Sequence, residues 1–200
     1  MFKKILMALV AVVATAAFVP SMASATVVPA LHSGDTQAYL LDSSGNPITS
    51  TTSVTLTGRF TLVGAATVAC DLHLTVQVHT DGTTTVTAPT SFTNCTVNIP
   101  HCDVAVAPNL NWGDRIVLDS NGDFRDRINV SLTATYSTTG CPYGPITYTG
   151  ELSPILAFGG TGKLKTVFDS TAGSLTSALG GATASGTIEE PAAGGYGLGI

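Results

Sequence analysis

The sequence predicts an all-β protein, an antiparallel β-sandwich of two sheets with about ten strands. Three observations predict this class. Apolar and polar residues alternate along several segments, 31 threonines and 16 serines stand among the 200 residues, and turn sequences separate the alternating segments. A strand with one apolar and one polar face is typical of a half-buried antiparallel sheet. The β-branched threonine side chain fits the exposed face of such a sheet.

The strands follow from this alternation in chain order. It is clearest at 54–62, 72–79, 128–136 and 146–152, where every second residue is apolar or glycine. Shorter or less regular segments predict further strands at 37–41, 84–88, 92–97, 103–107, 115–119, 164–168 and 182–188.

Turn signals lie between the predicted strands. Asp81-Gly82 and Asn121-Gly122 are dipeptides typical of tight hairpins, because both residue types accept a left-handed backbone. One segment, 170–179, is a helix candidate, although Gly173 is a poor helix former.

The first 25 residues have the three regions of a secretory signal peptide. Lys3 and Lys4 give a positive start, 5–18 is apolar, and Ala23-Ser24-Ala25 is a small-residue cleavage site. A membrane anchor is the alternative, but a span needs about 20 apolar residues. We therefore expect residues 1–25 to be cleaved and the chain to be secreted, to the periplasm or outside the cell. No later segment predicts a membrane span.

The exported part is predicted to be one domain with an appendage. Residues 26–188 form the β-sandwich domain, and the Gly-rich residues 189–200 form a flexible tail. Removal of the two lysines of the signal peptide leaves 6 basic and 13 acidic residues, a formal charge of 6 − 13 = −7. This charge excludes a basic nucleic-acid binder.

Four cysteines lie in the exported part, which favours two disulfides. Of the three possible pairings we favour Cys70–Cys95 with Cys102–Cys141. A zinc site is the alternative, but the chain has no C-x2-C pair. His101 next to Cys102 adds little, because neighbouring strand residues point to opposite faces.

Three residues are candidate ligand contacts: Trp112, Asp114 and His101. A lone loop tryptophan either binds a sugar or another chain, or fills the end of a sandwich core, and we favour the core. An enzyme would need a polar cleft around all three residues. The charged run 114–127 is a ligand clamp or, as we favour, a set of ion pairs across a hairpin.

The segment beginning at Asp119 resembles the start of a calcium loop. Asp119, Asn121 and Asp123 supply oxygen ligands at alternate positions. The sixth position is Phe124 instead of Gly, and the twelfth is Val130 instead of Glu. A polar hairpin turn is therefore favoured over a metal site. No cofactor is predicted, and no motif supplies a nucleophile with its base, so no catalytic residue is assigned.

The order of several short motifs resembles a known family. The motifs are ATVAC at 66–70, SFTNCT at 91–96, NLNW at 109–112, ITYTGEL at 146–152 and ASGTI at 184–188. In this order they are similar to the alkane oxidation protein activator family and to related small secreted actinobacterial proteins of unknown function. The resemblance covers residues 50–190. It implies a secreted, non-enzymatic β protein that is associated with hydrophobic substrates or with the cell surface.

These observations predict a secreted accessory protein that acts by binding. Its expected partner is a hydrophobic small molecule or a cell-surface component, and its expected role is to help contact with, or use of, hydrophobic substrates such as alkanes. The alternative is a structural subunit of the cell surface or biofilm matrix that self-associates through edge strands. A hydrolase or metal-dependent enzyme is disfavoured because the motifs for one are missing.

Overall fold

The computed structural model describes residues 27–109, 112–137, 141–158 and 162–200, and all the regular elements among them are β-strands. The all-β prediction is confirmed. The strands are β1 Thr36–Gln37, β2 Tyr39–Leu41, β3 Thr52–Val63, β4 Thr67–Val78, β5 Thr83–Val97, β6 Asp103–Pro108, β7 Gly113–Leu118, β8 Phe124–Ser137, β9 Ile146–Leu152, β10 Ile155–Phe158, β11 Leu164–Phe168, β12 Ser174–Ser177, β13 Gly180–Glu189 and β14 Gly197–Gly199.

The strands close into a barrel, so the prediction of a two-sheet sandwich is wrong. Eight antiparallel strands form a ring in the order β3, β4, β5, β7, β8, β10, β11 and β13, and β13 pairs back onto β3. A sandwich would leave the outer strands of each sheet unpaired. Here the β7–β8 and β3–β13 pairings join those edges, and closure satisfies their backbone groups.

The long strand β8 organises one side of the barrel. Along one edge it pairs first with β7 and then with β6, and along the other it pairs with β10 and then with β9. The strand β12 bridges β9 and β13. A 14-residue strand can serve four neighbours because each covers only part of its length.

Every strand that the alternation predicts is present, and two hairpins turn where predicted. Gly82 and Gly122 have φ angles of 76° and 85°, the left-handed conformation expected at these turns. The predicted strands 84–88 and 92–97 form one continuous strand, β5.

The poor helix candidate at 170–179 does not form a helix. The segment forms a turn followed by β12. Gly173 has a φ of 93°, which is incompatible with a helix, and Leu175 is buried between the exposed Ser174 and Thr176. This alternation has the period of a strand.

The core lies inside the barrel and is built from the alternating apolar positions. Leu132, Leu152 and Ile188 are almost completely buried. The Phe60 ring packs between Phe92 and Phe168, with ring centroids 5.8 and 5.3 Å apart. Each such buried side chain contributes about 1.5–3 kcal/mol to folding.

Both predicted disulfides are present. Cys70–Cys95 joins β4 to β5, and Cys102–Cys141 joins the turn before β6 to the segment before β9. All four cysteines are used, so the zinc alternative fails. Two disulfides are typical of proteins that fold in an oxidising compartment.

The two ends of the described chain pack on the barrel. Val27 forms a bridge with Trp112, while the signal peptide predicted at 1–25 lies outside the described residues. The tail predicted to be flexible, 189–200, includes β14, which pairs with β2. Gly199 lies against the end of the Leu41 side chain, where an added Cβ atom would be 2.8 Å from it. The described residues include no helix that is long and apolar enough to cross a membrane.

Candidate functional site

An open groove lies on the outside of the barrel where β8 and β9 are side by side. We call it the β8–β9 groove, and its volume is about 470 Å³. Its lining combines two amides, two hydroxyls, one carboxylate and a small apolar floor, contributed by Asn109, Trp112, Asn129, Val130, Ser131, Thr149, Gly150 and Glu151.

The pairing of β8 with β9 places the polar lining. Asn129 is opposite Glu151, and Ser131 is opposite Thr149. Since directly paired residues of an antiparallel sheet point to the same face, these four side chains form two polar rows outside the barrel. The intervening Val130 is buried in the core.

Hydrogen bonds hold Asn109 and Trp112 against the groove. The Asn109 amide nitrogen Nδ2 donates to Ser131 Oγ at 3.0 Å, and its backbone N–H donates to the Ser131 carbonyl at 3.0 Å. The Trp112 indole Nε1 donates to the same carbonyl at 2.7 Å. The Ser131 carbonyl thus fixes both Asn109 and Trp112.

The other end of the groove contacts the N-terminal segment. Asn129 Nδ2 donates to the Val27 carbonyl at 2.9 Å, and His32 Nε2 lies 3.1 Å from Glu151 Oε1. Glu151 is the one acidic residue of the lining, so the groove is mostly neutral.

The three predicted ligand contacts lie in different surroundings. Trp112 borders the groove but is 5% exposed, in agreement with the interpretation that it belongs to the core. Asp114 is 0% exposed inside the barrel. His101 has a φ of 62° in an exposed turn beside the Cys102 disulfide. The structure therefore does not bring the three residues together in one polar cleft.

The candidate calcium residues form a turn that is stabilised by its own hydrogen bonds. Asp119 Oδ1 accepts from the backbone N–H groups of Asn121 and Asp123 at 2.8 and 3.0 Å, and Oδ2 accepts from Arg125 Nε at 2.6 Å. Burial alone would raise the pKa of Asp119, but the Asp123 backbone and Arg125 donors lower it. Among the described residues no three His, Cys, Asp or Glu side chains are grouped to hold a metal ion.

The charged run 114–127 pairs only in part across its own hairpin. Arg125 pairs with Asp119 as the sequence suggested, whereas Arg127 pairs with the distant Asp35. Sequence reasoning also missed Asn109, Asn129, Ser131 and Thr149, because their arrangement depends on how β8 pairs with β9.

No protein-family model, curated protein or solved structure matches the chain. The resemblance to the alkane oxidation protein activator family thus stays a prediction.

Proposed function

We propose that this chain is an exported, non-enzymatic binding protein that holds an uncharged, polyhydroxylated chain, such as a cell-surface polysaccharide, in the β8–β9 groove. The observation that carries the proposal is the pair of polar rows, Asn129 with Glu151 and Ser131 with Thr149, beside Asn109. The two disulfides and the sequence of residues 1–25 support export.

The chemistry of the lining suits a sugar. Amides and hydroxyls both donate and accept hydrogen bonds, as sugar hydroxyls do. Gly150 and Trp112 border the groove with apolar atoms, and binding sites commonly combine such a surface with a few polar groups. The formal charge of −7 of the exported part, from 6 basic and 13 acidic residues, disfavours an anionic ligand.

An alkane would need an apolar cavity or surface. Two cavities lined mainly by apolar side chains have volumes of about 20 and about 10 Å³. A single water needs about 10–15 Å³ by the same measure, so neither cavity holds a long hydrocarbon. For this reason we place the cell-surface component ahead of the hydrophobic substrate.

Binding of the full exported chain to insoluble neutral polysaccharides tests the proposal. Depletion of the protein from solution would be measured over a panel of such polymers. Thr149→Val removes one exposed hydroxyl from the groove while keeping a β-branched side chain. We expect it to weaken binding about 2–10-fold, since a hydrogen bond is worth about 0.5–1.5 kcal/mol.

Thr55→Val on β3 is the matched control, and we expect it to bind like the wild type. The proposal is wrong if no neutral polymer depletes the protein, or if Thr149→Val and Thr55→Val bind equally. Multimers that form without any polymer would instead favour the structural-subunit alternative.

A further inference from the structure

Two carboxyl groups lie inside the barrel. Asp114 on β7 is 0% exposed and Asp126 on β8 is 7% exposed. Asp114 is opposite Ile128, and Asp126 is opposite Ile116. The two carboxyls are thus diagonal neighbours on the inner face of adjacent strands, at a spacing of about 7–8 Å between backbones. We call them the interior acid pair.

Polar atoms without hydrogen-bond partners surround this pair. Both Asp114 carboxyl oxygens, Asp126 Oδ1, Thr84 Oγ1 and Thr166 Oγ1 are buried and receive no hydrogen bond from the described residues. Thr84 is opposite Asp114 on β5. Thr84, Thr166 and Asp126 line the same cavity of about 20 Å³, whose other walls are apolar.

No positive charge faces the interior acid pair in the part of the chain described. The three arginines of these strands have partners elsewhere: Arg115 contacts Gln37 and the Pro29 carbonyl, Arg125 pairs with Asp119, and Arg127 pairs with Asp35. Apart from Asp126, the cavity lining has no ionisable side chain. The charged neighbour that acts on Asp114 is therefore another acid, Asp126.

A buried carboxylate without a counter-charge is strongly disfavoured, so such a group keeps its proton. Burial, with a smaller effect of Asp126, raises the pKa of Asp114 well above its usual range. Burial also raises the pKa of Asp126 to about 7. A protonated carboxyl carries no charge, so it costs much less to bury than a carboxylate.

We propose that Asp114, Asp126, Thr84 and Thr166 form an internal proton-binding site that must be protonated for the barrel to be fully stable, so that the folded state weakens as the pH rises towards and beyond neutrality. The site is separate from the groove and goes beyond the proposed binding function. It gives an exported protein a built-in response to the pH outside the cell.

The direction follows from proton linkage. In the unfolded chain both acids have a pKa of about 3.9. Between that value and the raised pKa in the folded state, the folded chain holds more protons than the unfolded one, so stability falls as the pH rises. For Asp126 this window ends at about 7. Asp114, whose pKa is raised in the same direction, adds to the loss.

The test is urea unfolding of the wild-type chain and of Asp126→Asn and Asp114→Asn from about pH 4 to about pH 9. The slope of the unfolding free energy against pH gives the difference in the number of protons bound by the folded and unfolded states. Asparagine keeps the shape of the side chain but has no titration. We expect the unfolding constant of the wild type to increase relative to Asp126→Asn by up to about tenfold per pH unit between about pH 4 and about pH 7. Asp71→Asn is the control, because Asp71 is exposed and hydrogen-bonded to Asn94 and Arg59.

A difference between wild type and both asparagine variants that does not change with pH would overturn the proposal. If the variants do not fold, carbon-13 NMR of the wild-type chain tests the proposal instead, because it follows the ionisation of each aspartate carboxyl with pH. Two carboxyl signals that titrate near or above neutrality support the site. A spectrum in which every aspartate ionises below about pH 5, near the ordinary value, overturns it.

Discussion

Arg127 on β8 forms a bidentate ion pair with Asp35, which lies 92 residues earlier in the chain. Arg127 Nη2 lies 2.9 Å from Asp35 Oδ1, and Arg127 Nε donates to Asp35 Oδ2 at 3.1 Å. The two side chains are 14% and 3% exposed. Together with the hydrogen bond from Asn129 to the Val27 carbonyl, this pair fixes the N-terminal segment across β8.

Replacement of Asp35 should therefore loosen that segment and destabilise the fold. Asp35→Asn leaves the mostly buried Arg127 without its counter-charge, and we expect a loss of about 2 kcal/mol in the free energy of unfolding. Urea unfolding at neutral pH measures it. Asp103→Asn on the exposed side of β6 is the control, with no expected change beyond about 0.5 kcal/mol. Equal stability of the two variants would contradict the prediction.

The strands could be predicted from the sequence because alternation is a local property. The segment from Val54 to Leu62 shows its buried face in nine residues, and the structure buries the same face. Closure of the barrel is not local. Thr61 pairs with Ser185, more than a hundred residues away, and nothing in either segment alone specifies the other.

The burial of the interior acid pair could not be recognised from the charge of the run 114–127. Asp114, Arg115, Asp126 and Arg127 together resemble a solvated hairpin. Asp114 nevertheless has the same strand parity as the buried Ile116, and Asp126 that of the buried Ile128. The alternation counted separately within each strand, over 114–118 and over 124–128, is the signal in the sequence that places both acids inside the barrel. Their lack of counter-charges depends on the partners of the arginines, which the sequence does not reveal.

Each disulfide should contribute about 3–4 kcal/mol to the free energy of unfolding, as expected from the length of the loop that it closes. The two contributions should be alike because the two loops are similar in length. The bridged cysteines are 25 and 39 residues apart. Cys70→Ala with Cys95→Ala should lower the melting temperature more than Cys102→Ala with Cys141→Ala, since Cys70 is also part of the core. Calorimetry of both double variants measures the difference. An unchanged melting temperature in either variant would contradict this estimate.

Asp119 should give stability the opposite pH dependence to the interior acid pair. Burial is outweighed by hydrogen bonds from the Asp123 backbone and Arg125, so the pKa of Asp119 in the folded chain is lowered. Its contribution is present above the unfolded pKa of about 3.9 and is lost as the pH falls.

The variant Asp119→Asn should cost about 2 kcal/mol at neutral pH, because the nearly buried Arg125 loses its closer acidic partner and keeps Asp123, at 3.4 Å, as a counter-charge. The cost should shrink as the pH is lowered from neutrality to about 2, because the wild-type carboxyl takes up a proton as the pH falls through its lowered pKa. Unfolding of both proteins at the two pH values tests this. A cost that is the same at both values would show that the charge of Asp119 is not what matters.

Closure of the barrel between β3 and β13 should depend on two glycines. A Cβ atom at Gly58 would lie 2.2 Å from the Thr187 carbonyl oxygen, and one at Gly186 would lie 2.1 Å from the Arg59 carbonyl oxygen. Both obstacles are backbone atoms of the paired strand, so they cannot turn aside as a side chain would.

Gly58→Ala should therefore push the strands apart and cost about 2–3 kcal/mol in the free energy of unfolding. Gly144→Ala is the matched control, because no atom of the described residues, apart from its two chain neighbours, lies within 4 Å of its added methyl group. Amide hydrogen exchange would locate the effect: faster exchange confined to β3 and β13 in Gly58→Ala supports the argument, and exchange equal to that of Gly144→Ala refutes it.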